Sequence, residues 1–102
     1  MNDFSSLPMV LDSVMGAGYQ VVATGAPNNL GIYPRVIHWD GADLLVGDTF
    51  EIDDHSGNIL FTATCPANGQ GAYFDIAEGV RWEPLWQLVT LAHGILYIWY
   101  TT

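Results

Sequence analysis

The sequence predicts an all-β fold, a small antiparallel β-sandwich or jelly-roll-like barrel of about eight strands. Three observations predict it. Short runs rich in β-branched and aromatic residues recur along the chain, separated by turns bearing Gly and Pro at intervals of roughly 8 to 12 residues. Several of these runs alternate apolar with polar residues, as half-buried strands do. Beyond residue 18 no stretch has the period or length of the crossover helices that a parallel sheet requires. At 102 residues the chain is sized for one domain.

Residues 1–18 read differently from the rest. Leu7, Val10, Leu11, Val14 and Met15 are spaced as on one helix face, Pro8 suits a first turn, and Gly16 and Gly18 would stop it. The stretch reads equally as an extended arm. In either form it is expected to dock on something, with the β-sandwich domain over 19–102. From Tyr19 the signals are β. "YQVVAT" is a strand and "GAPNNLG" is turn chemistry. "IYPRVIHW" follows, and Pro34 inside it lacks the N–H of a central ladder, so this strand is expected at an edge or a bulge. "GDTFEIDD" alternates, with Phe50 and Ile52 inward and Thr49, Glu51 and Asp53 outward. "HSG" then turns the chain with Gly57 at positive φ, and "NILFTATC" returns as the second leg of a hairpin. "PANGQG" is a loop. "AYFDI" and "VRWEP" are short strands separated by "AEG", and "LWQLVTL" and "ILYIWY" form a final hairpin around "AHG".

Some of these strands are apolar on both faces. In "ILYIWY", Ile95, Tyr97 and Trp99 face one way and Leu96, Ile98 and Tyr100 the other. In "LWQLVTL", Val89 and Leu91 oppose Trp86 and Leu88. A two-layer sandwich buries one face per sheet and wets the other. Strands apolar on both faces therefore need a further cover, from residues 1–18, a symmetry mate or a partner. For the last strand the inner face is assigned to the core, and Leu96 and Ile98 are taken as the outer, partner-facing side.

Composition narrows the function. The chain is 50% hydrophobic and 13% aromatic, and only 13% charged, about half the usual share. Eleven acids face two arginines, Arg35 and Arg81, with no lysine, for a net charge of −9. Nucleic-acid binding depends on Lys and Arg contacts to phosphates, so that role is excluded, and anionic membrane surfaces are disfavoured for the same reason. The acidic surface is expected to keep an apolar-rich subunit soluble, or to steer docking onto a basic partner. The single Cys65 reads as a small buried hydrophobe. The first residues lack a basic segment and carry Asp3, a poor secretory signal, so a cytoplasmic start is expected. No apolar run is long enough to span a bilayer as a helix.

The chemistry-bearing residue types form no catalytic pattern. "GAGYQV" and "GQGAYF" lack the third glycine and the strand–turn–helix setting of a dinucleotide site, and a phosphate loop would need a lysine. "EIDDHSGN" offers Asp53, Asp54 and Asn58 as oxygen ligands but misses the calcium-loop spacing, so ordinary turn chemistry is preferred. His38, His55 and His93 are not at ligand spacing, no serine carries a nucleophile signature, and the acids read as solvated strand positions. No catalytic residue, metal or cofactor is expected. Trp39, Trp82, Trp86 and Trp99 also allow a carbohydrate- or receptor-binding module, in which Trp82 and Trp86 would contact a glycan. Two cations among eleven acids should be paired; Arg35 and Arg81 lie among large apolar groups, and at least one is expected to bridge a subunit boundary.

"GVRWEPLWQLVTLAHGILYIWY", from Gly79 to Tyr100, resembles the ending of a group of small accessory virion proteins of tailed bacteriophages. Their pattern is Gly-hydrophobic-Arg, a strand carrying Val-Thr-Leu, a Gly turn and Leu-Tyr-hydrophobic-Tyr. "VIHWDGADLLVGDTFEIDDHSGNILFTA" is similar to that group's middle run, so the resemblance covers residues 36–100. Glu83-Pro84-Leu85 departs from it, standing where Gly or Asn is more usual. The resemblance implies a capsid decoration (cement) protein, or another small head or tail component. Such a protein is structural and non-enzymatic, oligomerises as a trimer, bridges subunits of the major capsid protein and resides on the capsid exterior after assembly in the host cytoplasm. On this reading the interface residues are Arg35, Arg81, Trp82, Trp86, Leu96, Ile98 and Tyr100.

Overall fold

A computed structural model describes residues 7–15, 19–21 and 31–101. The turn expected in "GAPNNLG" up to Leu30, and the helix-stopping Gly16 and Gly18, lie outside the described residues. The strands are β1 (Met9–Asp12), β2 (Tyr19–Val21), β3 (Tyr33–Asp40), β4 (Thr49–Asp53), β5 (Ile59–Thr64), β6 (Ala72–Asp75), β7 (Trp86–Leu91) and β8 (Ile95–Thr101), with one 3-10 turn at Ser13–Met15. They form two antiparallel sheets. Sheet A has the order β1-β8-β3-β6 and sheet B the order β2-β7-β4-β5. The antiparallel pairs β1·β8, β2·β7, β3·β6 and β4·β5 nest one inside the next, so the eight strands are one long hairpin wrapped into two layers. That winding is a jelly roll.

Residues that read as helix or arm are a strand. Met9–Asp12 pairs with Ile95–Ile98 at the edge of sheet A, and only Ser13–Met15 coils. The sandwich therefore begins before residue 19, and β8 is flanked on both sides. Leu11 enters the core while Val10, Val14 and Leu7 stay exposed, which removes the helix face the spacing suggested.

The final two strands do not form a hairpin. β7 pairs with β2 and β4, whereas β8 pairs with β1 and β3, so Ala92-His93-Gly94 carries the chain from one layer to the other. The crossing is tight. Gly94 has φ +84°, and a Cβ there would meet Trp39 Nε1 at 2.8 Å and the Asp40 carbonyl oxygen at 2.9 Å. Trp39 Nε1 donates to the His93 carbonyl oxygen at 3.2 Å, which fixes the crossing to β3. "VRWEP" also differs from expectation: it contributes one bridge, Ile32 to Trp82, rather than a strand.

Two bulges settle positions that simple alternation misplaces. The register of β4 against β7 shifts between Glu51 and Ile52, so Trp86, Leu88 and Leu91 all face inward, and β7 is not apolar on both sides. Pro34 lies in a central strand, tolerated because the β3–β8 register shifts between Pro34 and Val36. The core joins Trp39, Ile37, Leu96 and Ile98 of sheet A to Phe50, Ile52, Trp86 and Leu88 of sheet B. Cys65 is in it, its Sγ donating to the Ala67 carbonyl oxygen at 3.0 Å.

Candidate functional site

The outer faces of the two sheets are chemically unlike. On sheet B the register sets Thr90, Glu51 and Thr62 in one row and Thr49 beside Thr64 in the next, a polar and wet surface. Glu51 there lies beside the Asp53 carboxyl, two acceptors that can hydrogen-bond only when one of them is protonated. That contact, with some desolvation and the like charge, raises the Glu51 pKa above its ordinary value. Asp53, expected outward, is buried at the point where β4 bulges against β5.

On sheet A, Leu11, Leu96, Ile98, Ile37 and Trp39 point into the core, so their strand neighbours point out. The register then aligns Val10, Tyr97, His38 and Tyr73 in a single row across all four strands. One step along the sheet, Trp99 lies beside Val36, which lies beside Asp75. One step the other way, Ile95 lies between Asp12 and Asp40. The rings of the central row are stacked. Tyr73 and His38 have centroids 3.9 Å apart and planes within 8°, and Tyr97 covers the other side of His38 at 5.7 Å. Tyr97 is in turn 6.4 Å from Trp99. Because the stack runs across the strands, the rings stand on edge from the sheet. Tyr73 closes the row on the edge strand β6, is 69% exposed, and leaves one ring face open. The face is thus an aromatic and aliphatic centre with carboxylates at its margins.

Of the residues expected at an interface, the apolar ones lie in or against the core. Trp82 and Trp86 are buried and meet edge to face at 4.9 Å, so neither is available to a glycan or a neighbour. Leu96 and Ile98 are 0% exposed, and Tyr100 packs against the same core. The alternation in "ILYIWY" was right, but inside and outside are exchanged. Both halves of it are apolar, so a period of two cannot orient it; the register does, by placing Leu11, Trp39 and Ile37 beside Leu96 and Ile98. Arg81 pairs within the chain, Nη1 to Glu83 Oε1 at 2.6 Å on the surface. Arg35 lies at the β3 bulge, its carbonyl oxygen accepting from Ile76 N–H at 2.9 Å. The sequence groups Tyr97 and Trp99 on one face of the last strand but leaves His38 and Tyr73 unconnected to it. The available signal was the side of each strand that carries Tyr and His, whose polar tips are satisfied in water.

The remaining polar clusters are structural. Asp54 Oδ1 accepts from the N–H groups of Ser56 and Asn58, each at 2.9 Å, and Oδ2 accepts from Asn58 Nδ2 at 3.0 Å. These bonds hold the Asp54 carboxyl below its ordinary pKa, the Asn58 N–H contributing most. "DDHSGN" is therefore a self-satisfied turn, with Gly57 at φ +91°. One pair that no local motif reveals is His93 Nδ1 with Asp48 Oδ2, at 2.7 Å across 45 residues. The same oxygen accepts from Leu45 N–H at 2.8 Å, which with His93 lowers the Asp48 pKa. The pair ties the layer crossing to the loop before β4. Among the described residues no three His, Cys, Asp or Glu side chains gather as metal ligands. No family model, curated protein or solved structure matches the chain.

Proposed function

We propose that the chain is a non-enzymatic assembly protein, a capsid decoration subunit of a tailed-phage head, and that it docks through the outer face of sheet A. The observation that carries this reading is the contrast between the two outer faces. One has rows of threonine and carboxylate, with Ile59 exposed at the start of its edge strand; the other has aromatic rings on three neighbouring strands, with Val10, Val36, Ile95 and Trp99 around them. A contiguous apolar face rimmed by polar groups is the usual signature of a protein contact. The resemblance over residues 36–100 supplies the kind of assembly, and it spans β3 to β8, which carry His38, Tyr73, Tyr97 and Trp99. Jelly rolls serve capsid and lectin domains alike, so the fold alone leaves the partner open.

Stabilisation on this reading is hydrophobic burial repeated over many copies. A standard interface removes about 800 Å² per partner from water, and burial contributes roughly 25 cal/mol per Å² before the cost of association. Trimer formation belongs to the same reading. A cyclic trimer joins two different patches on each subunit, and on this reading neither is the outer face of sheet A, which meets the shell. The test is the copy number of the chain in purified particles, and the heat stability of particles with and without it. Stoichiometric occupancy and a loss of particle stability on its removal are expected, and absence from particles overturns the proposal. The double variant Tyr97→Ser, Trp99→Ser should fold but fail to attach. Attachment equal to that of the parent would remove the face from the reading.

A further inference from the structure

We infer that the outer face of sheet A takes a basic protein surface, with arginine side chains stacking at Tyr73 and pairing with the marginal carboxylates; this rests on the docking role proposed above. Three carboxylates, Asp12, Asp40 and Asp75, are set on this face by the strand register. Asp40 and Asp75 are exposed, and they lie on opposite sides of the aromatic row, with Asp12 across Ile95 from Asp40. The face therefore presents an apolar centre between negative margins, the complement of an apolar surface flanked by cations. Tyr73 adds a preference among cations. Its inner ring face is covered by His38, and its outer face is open at the edge of the sheet, two residues from Asp75 on the same side. A guanidinium can lie flat on that ring while forking to a carboxylate, whereas an ammonium cannot do both as well. The upright stacking of the other rings leaves them few open faces for a sugar to lie on.

A second copy of this chain is a poor occupant of the same face. Each copy carries a net charge of −9 with Arg35 and Arg81 as its only cations, and Arg81 is already held by Glu83. Two such surfaces would bring carboxylates against carboxylates.

The experiment titrates the full chain with hexa-arginine and hexa-lysine by calorimetry at low salt, where exposed charges are least screened. Hexa-arginine should bind more tightly by roughly two- to fivefold. Tyr73→Leu, which keeps apolar bulk and removes the ring, should erase that margin. Asp75→Asn should weaken both peptides, and Glu51→Gln on the opposite sheet should weaken them less. Equal binding of the two peptides overturns the inference, as does a margin that survives Tyr73→Leu. Weakening by Glu51→Gln as large as that by Asp75→Asn also overturns it, since the peptide then spreads over the acidic surface. Self-association that Tyr73→Leu abolishes would assign the face to a second copy instead. Particle attachment is read separately: if Tyr97→Ser, Trp99→Ser abolishes attachment while arginine shows no advantage, the docking face stands and the basic partner falls.

Discussion

Leu85 has φ +66°, a left-handed conformation that glycine and asparagine adopt at little cost and leucine does not. It occupies the Glu83-Pro84-Leu85 turn, where the sequence offers neither glycine nor asparagine. Its side chain is 46% exposed, so packing recovers only part of the strain. Leu85→Asn should therefore stabilise the fold by about 0.5–1 kcal/mol, read as a higher midpoint in denaturant with an unchanged slope. A lower midpoint would mean that Leu85 packs more than its exposure implies. Glu51 is the second residue held at a cost. Its raised pKa means that the folded state binds its proton more tightly than the unfolded chain does. The resulting stability is fully present below the ordinary value of 4.5 and is lost as pH rises through the folded value. At neutral pH the ionised Glu51 thus sits against Asp53 at a disadvantage. Glu51→Gln should raise the melting temperature at neutral pH and lose that advantage on acidification through the glutamate range. An increase of the same size at every pH would rule out the charge as its cause.

Within the elements, the last strand shows how a side-chain pattern and a register divide the work. β8 separates two apolar faces, and only the partners set beside it decide which is inside. Ile98→Asp places a carboxylate at a fully buried position between Ile37 and Met9. That substitution should cost roughly 4 kcal/mol or more, enough to unfold a domain of ordinary stability. Tyr97→Ser, one residue away on the outer face, should leave a cooperative fold, checked by the sharpness of the thermal transition. If the Ile98 variant were as stable as the Tyr97 one, the inward face would be misassigned. The same contrast explains what was legible in the sequence. The strand runs, the β4–β5 hairpin at Gly57 and the all-β class follow from local spacing and turn chemistry. The bulge that turns Leu91 inward, the crossing at His93-Gly94 and the row Val10–Tyr97–His38–Tyr73 depend on pairings far apart in the chain, which periodicity cannot encode. The short β1 reads equally as helix or extended arm, because four residues of strand ending in a 3-10 turn leave the same apolar spacing as a helix.

For the whole molecule the dominant electrostatic fact is eleven acids against two arginines. Such a chain repels itself most when compact, which lowers the stability of the folded state at low ionic strength. Two opposing contacts among the described residues are unequal: His93 with Asp48 attracts as a charged pair only when the imidazole is protonated. The Arg81–Glu83 pair lies on the surface, where such pairs contribute little. Added salt therefore screens many repulsions and little attraction, since the Debye length falls from about 30 Å at 0.01 M to about 10 Å at 0.1 M. The melting temperature of the isolated chain should rise steadily as sodium chloride is raised over that range, most steeply at its lower end. Salt should act in the opposite sense on docking to a basic surface, because the margins of sheet A then lose their reach. Folding stability and partner affinity moving in opposite directions with salt would be the mark of a chain whose excess charge serves recognition. A fall in both would mean that favourable ion pairs, rather than self-repulsion, dominate the folded state.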